Sequence, residues 1–232
     1  MKNLIICLGL FFSFSAWSQD SSEILKKHFE DYGQQDWNEV RTLTIDGFLK
    51  DSHFGRWPMQ LIRKGPEKVK IVGKYQGKQY AEAFDGQDAW IKAPWKGRYE
   101  VERMNAEEEL IIRNSFSFGS PLYSIKEHLK FKGLMDKEGT LYFAYMMDEG
   151  SYQHTFFIGR DDYRLYYEEI TTKFGTPITI LKVVEKYKNY GTMLVPTAVI
   201  FEGDELDKEL TFDEVYIGMG VKDYIFTMPK GQ

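Results

Sequence analysis

From Val40 onward one pattern recurs: short stretches with apolar residues at every second position, cut by Gly, Pro, Asp or Asn at spacings of about a dozen residues. Leu43 and Ile45 alternate with Thr42, Thr44 and Asp46, the two-residue period of a half-buried strand. Further strands are expected over Trp57–Arg63, Lys68–Tyr75, Lys78–Phe84 and Ala89–Ala93, and again over Lys130–Met135, Leu141–Met147, Tyr152–Ile158, Tyr163–Ile170, Ile178–Tyr187, Met193–Phe201 and Glu209–Ile217. The breaks between them, such as Gly65-Pro66, Gln76-Gly77 and Asp85-Gly86, are of hairpin size. Gaps that short join antiparallel neighbours, because a parallel pair needs a long crossover. The pattern therefore dictates a meandering antiparallel sheet.

Two helical segments interrupt it. Ser21-Ser22-Glu23 opens one, with Ile24, Leu25, His28, Phe29 and Tyr32 at helical spacing up to Gly33. Asn105 to Asn114 opens with a capped acidic turn before the Leu110-Ile111-Ile112 step, and a Phe-, Gly- and Pro-rich loop follows over Ser115 to Tyr123. In Leu141–Met147, His154–Ile158 and Leu194–Ile200 both alternating sets are apolar or aromatic, whereas an antiparallel sheet wetted on one side alternates cleanly. The expected class is mainly β with few helices (α+β): a curved antiparallel sheet forming a half-barrel, its concave side closed by a helical lid and its convex side carrying polar and Tyr positions.

Charge and motifs exclude several functions. The 232 residues carry a net charge of −5 with no long Lys/Arg block, which argues against nucleic acid, whose phosphates require clustered cations. Met1-Lys2, an apolar run from Leu4 to Trp17 and Ala16-Trp17-Ser18 form a secretory signal peptide pattern, cleaved near Ser18. Residues 19–232 are then expected to be a single domain exported across the inner membrane, since no later stretch is apolar for long enough to span one. Cys7 is the lone cysteine, and Ile6 before it with a near-absent basic region argues against lipid attachment there. His28, His53, His128 and His154 show no metal-ligand spacing, no Gly-x-Ser-x-Gly elbow is present, and Gly218-Met219-Gly220 lacks the third glycine of a dinucleotide turn. Catalytic residues, metal and cofactor are all expected to be absent.

What those exclusions leave is a surplus of apolar surface. Met59, Leu61, Val69, Ile71, Trp90, Phe143 and Tyr145, with Leu110-Ile111-Ile112, either interdigitate as an ordinary core or line a hollow that they do not fill.

Three short motifs favour the hollow. Asp85-Gly86-Gln87-Asp88-Ala89-Trp90-Ile91-Lys92-Ala93-Pro94 resembles the Asp-Gly-x-x-x-Trp-x-x-x-Pro hairpin of the LolA-like outer-membrane lipoprotein-sorting proteins. Met59 to Pro66 is similar to the family's strand ending in a basic residue and proline, and Phe226-Thr227-Met228-Pro229-Lys230-Gly231 to its C-terminal Phe-Thr-x-Pro-x-Gly. The resemblance covers nearly the whole chain after the leader, except Trp95 to Ser124. The family arginine that helps hold the lid shut directly precedes the proline; Gly65 stands there in this chain, and Arg63 shares its strand parity.

The resemblance implies a periplasmic carrier that shields acyl chains of a lipoprotein or related lipid in a hydrophobic cavity, between an inner-membrane donor and an outer-membrane acceptor, with only transient membrane contact. The expected cavity wall is Leu43, Ile45, Met59, Leu61, Arg63, Val69, Ile71, Trp90, Phe143 and Tyr145, and the expected lid is Leu110, Ile111, Ile112, Phe116 and Phe118. On this reading Ile71→Glu abolishes acyl binding and leaves the fold intact. Two alternatives remain: a sensor or regulator of envelope stress on the same fold, and an envelope hydrolase using carboxylates among Glu107-Glu108-Glu109, Asp161-Asp162 and Glu168-Glu169.

Overall fold

In the computed structural model, which describes residues 20–203 and 207–229, the alternating stretches form one antiparallel sheet. The expected leader, and Lys230 and Gly231 of the closing motif, lie outside the described residues. The first six strands are β1 (Thr42–Asp51), β2 (Gly55–Lys64), β3 (Lys68–Tyr75), β4 (Lys78–Phe84), β5 (Ala89–Ala93) and β6 (Arg98–Arg103). The remainder are β7 (Lys130–Lys137), β8 (Thr140–Glu149), β9 (Tyr152–Ile158), β10 (Leu165–Thr172), β11 (Thr179–Tyr190), β12 (Met193–Glu202) and β13 (Asp207–Ile217). Helices α1 (Ser21–Asp31), α2 (Gln34–Trp37) and α3 (Ala106–Asn114) complete the regular structure with a few short 3₁₀ turns.

The sheet order is β6-β5-β4-β3-β2-β1-β13-β12-β11-β10-β9-β8-β7. Two meanders, β1–β6 and β7–β13, thus join at the centre through the β1–β13 pair. After β6 the chain stands at one edge of the sheet and must re-enter at the other, so residues 104–129 have to cross the sheet. They cross on the concave face, where α3 touches β3 and β4 on one side and β11 on the other.

Curvature has local causes. The β1–β13 pair is bulged: Asp46 and Gly47 oppose Glu214 and Phe212, so β13 carries the extra residue Asp213, and a Cβ at Gly47 would lie 2.0 Å from the Thr211 carbonyl oxygen, so only glycine permits that approach. The bend brings β4 and β13 together across the intervening strands: Lys208 Nζ pairs with the Glu82 carboxylate, the carboxylate buried and the lysine partly so. The expected curved, open half-barrel is what forms.

Two apolar clusters fill the concave side. The larger joins β1–β5, β11–β13, Trp37 of α2 and the apolar face of α3; the smaller joins Phe143, Tyr145, Phe156, Ile158 and Leu165 with Ile24 and Tyr32. On the convex side of β8–β10, Tyr142, Phe157, Tyr166 and Tyr167 cover one another at ring-centroid distances of 5.4 to 6.5 Å. That explains strands apolar on both faces without a second layer. α2 and β6 were not expected, and Tyr163, expected to start a strand, has a left-handed φ of 53° in the turn before β10.

Candidate functional site

Cross-strand register assembles the wall. Leu43–Arg63–Val69–Phe84 form one rung, Ile45–Leu61–Ile71–Glu82 the next, and Met59 lies between Gly47 and Gly73 on a third. Because side chains alternate faces, all seven expected wall residues of β1–β3 point to the concave side. Leu43, Ile45, Leu61, Val69 and Ile71 are completely shielded from solvent.

The lid forms through its own sequence. Asn105 Oδ1 accepts from the Glu108 N–H at 2.8 Å while the Glu108 carboxylate accepts from the Asn105 N–H at 3.2 Å, a reciprocal cap on α3. Arg98 Nη1 donates to both oxygens of Glu108, at 2.8 and 3.0 Å, and Lys96 adds a second cation. Burial by itself pushes the Glu108 carboxyl up, but the Arg98 and Asn105 hydrogen bonds outweigh it and hold the group below the usual carboxylate range. Helix α3 is therefore tethered at its N-terminal end to β6 and its preceding turn, and Leu110, Ile111, Ile112 and Phe116 share one apolar cluster with the wall. Phe118 packs on that cluster, its ring 6.3 Å from Trp37 and 5.8 Å from the Arg63 guanidinium carbon.

Several expectations need correction. Trp90 is not a wall residue: it pairs with Ala83 and Arg103, points to the convex face, and donates from Nε1 to the Phe226 carbonyl at 2.6 Å, with Lys70 over its ring. Two of the motifs thus meet as a clasp outside the concavity. Phe143 and Tyr145 face inward but belong to the second cluster, under α1, where the Tyr145 hydroxyl donates to the Ser21 carbonyl at 2.6 Å. The hollow itself is not empty beneath α3, because the lid side chains occupy it. Ile71, wholly buried in that packed layer beside Glu82, is not the polarity-tolerant wall position the sequence implied.

Open space lies at the end of α3. A groove of about 570 Å³ runs between α2, the end of α3, residues 117–125 and the concave faces of β8–β10; Arg63, Leu110 and Phe118 line it with Trp37, Phe84, Met147, Phe156 and Ile170. Its volume is in the range of small-molecule sites, roughly 300–1,000 Å³. Sequence reasoning missed Trp37 because a four-residue helix shows no periodicity, and missed Phe156 and Ile170 because no pattern within β9 or β10 says which segment their concave faces will meet.

Two buried polar clusters reach the groove's lining through His154 and Ser120. Glu168 on β10 is completely buried between Lys182 and His154; burial pushes its carboxyl up, but the Lys182 charge and the His154 contact overcome this and bring it down to about 2. Below the lid loop, His28 is buried and neutral: desolvation lowers its pKa to about 4. Its Nδ1–H donates to the Tyr163 carbonyl at 2.6 Å, so Nε2 accepts from Ser120 Oγ–H at 2.6 Å, and Ser120 Oγ accepts from the Leu122 N–H at 3.1 Å. That chain fastens the lid loop to α1. Among the described residues no group of His, Cys, Asp or Glu is placed to hold a metal, and no helix is long and apolar enough to cross a membrane.

No family model and no curated protein matches the sequence. Solved structures do match. A LolA superfamily protein from Nitrosomonas europaea aligns with TM-score 0.56 at 16% identity, over 89% of this chain and 96% of that one. A domain described as an outer membrane lipoprotein-sorting protein, from Vibrio parahaemolyticus, aligns with TM-score 0.50 at 14% identity, over 88% and 94%. The chain has a LolA-like fold, an open antiparallel half-barrel crossed by helices.

Proposed function

We propose that this protein is a periplasmic carrier that binds acyl chains of a lipoprotein or related lipid by exchanging lid–wall contacts for chain–wall contacts. The observation that carries this reading is α3 itself: a tethered helix whose Leu110, Ile111 and Ile112 sit on a wall of Leu43, Ile45, Leu61, Val69 and Ile71, with a groove opening at its free end. Each buried methylene contributes about 0.8 kcal/mol, so a dozen contribute roughly 10 kcal/mol before ordering costs. The closed lid already gives the wall most of that burial. Net affinity is therefore the difference between two apolar packings, which makes capture reversible, and an acceptor need only offer the chains an equally dry site. Noncovalent holding involves no catalytic step, and the lipoprotein-sorting description of the Vibrio parahaemolyticus domain on the same fold supports an envelope donor and acceptor.

Native mass spectrometry of the protein purified from its own envelope tests the reading. Co-purifying acylated species are expected. Their absence, together with failure of the stripped protein to bind a fluorescent fatty acid saturably, would remove it.

A further inference from the structure

The groove contains donors that no described residue satisfies. Arg63 is 6% exposed and its rung neighbours are Leu43 and Val69. One guanidinium nitrogen, Nη2, donates to the Pro66 carbonyl, while Nε and Nη1 are buried and have no hydrogen-bond partner among the described residues. Trp37 Nε1, on the same groove, is likewise without an acceptor. Burial lowers the Arg63 pKa to about 10, and no carboxylate offsets it. A buried cation left with a single carbonyl is costly, and native sites of this kind are ordinarily satisfied by a partner. The groove also runs against the acidity of the whole chain: its lining carries Arg41, Arg63 and Arg113 against one carboxylate, Glu67.

We infer that the groove takes an acyl lipid whose head is an anion, a carboxylate or phosphate, with Arg63 as the anchor for its oxygens and the chain running toward the wall under α3. This rests on the carrier reading and narrows its cargo to lipids with an anionic head. The two free nitrogens lie beneath the lid loop, with Phe118 over the guanidinium, so the head reaches them as that loop lifts and the missing acceptor replaces the ring contact.

Displacement of a fluorescent acyl probe from the full chain at about pH 8, where carboxylates are ionised, tests it with dodecanoate, dodecanol and inorganic phosphate. Dodecanoate is expected to bind about tenfold or more tighter than dodecanol, the scale of hydrogen bonds to a charged group. In Arg63→Gln that ratio should fall close to one, and Arg63→Lys, which keeps a point charge but loses the fork, should fall between. The wild-type ratio decides the anionic head even if a variant does not fold, and a ratio kept in a folded Arg63→Lys or Arg63→Gln overturns Arg63 as its anchor in favour of Arg41 or Arg113. Equal binding of acid and alcohol overturns the anchor and leaves the carrier intact; binding of neither overturns both. Inorganic phosphate displacing the probe as well as dodecanoate does overturns the lipid source.

Discussion

Single residues show where short motifs mislead about place. Trp90 was legible as important from its spacing to Asp85-Gly86 and Pro94, yet parity along β5 puts it outside, under the Phe226 carbonyl. Trp90→Phe is expected to lower stability by about 1–3 kcal/mol, the cost of an unpaired buried carbonyl, with unchanged acyl-probe affinity in a parallel titration. Ile71→Glu is expected to unfold the domain or nearly so, as read by circular dichroism, because the carboxylate would enter a packed apolar layer. His28 supplies a pH dependence. The unfolded chain takes its proton near pH 6.5 and the folded one only near 4, so its contribution is complete above 6.5 and is lost as pH falls toward 4. The predicted loss is about 3 kcal/mol in urea melts compared across that window, and His28→Asn should flatten the difference.

Among the elements, α3 is the one on which the proposed carrier function turns. Its start was readable in the sequence from Asn105 and the acidic turn, and Glu108 indeed closes the cap. What it packs on was not readable, because its partners come from β3, β4 and β11, separated from it by tens of residues. On the proposed carrier reading lid and ligand compete for one wall, so loosening the lid should favour the ligand. Ile112→Ala is expected to cost about 2–5 kcal/mol of stability and, in the same protein, to tighten or speed uptake of an acyl probe. Reduced stability with weakened uptake would place α3 in the core as a fixed element. The strands were legible to within a residue or two where turns bound them, such as β3, β4 and β5. β6 was missed because both of its faces are largely wet and polar, so it has no apolar alternation to detect.

For the molecule as a whole, closure depends on contacts between chain ends. β1 meets β13, and Lys208 meets Glu82 across the concavity. Lys208→Met alone is expected to cost about 3–5 kcal/mol because it strands a buried carboxylate, whereas Lys208→Met with Glu82→Met should recover much of that in equilibrium unfolding. Recovery would show that the pair contributes little net energy and that its removal is harmful only when one-sided.

Period, turn residues and chain order by themselves determined an antiparallel meander, most of its strands and its capped helix, since these patterns are local; the grouping of Leu43, Ile45, Met59, Leu61, Arg63, Val69 and Ile71 on one wall was what the family resemblance implied. Only the tertiary structure decided that the connection from β6 to β7 crosses the concave face, that α3 fills the hollow it was expected to roof, and that Trp37, Phe118 and Arg63 meet at one groove. Curvature and lid placement depend on pairing between residues far apart in the chain, and no periodicity within one segment encodes which distant segment it will touch.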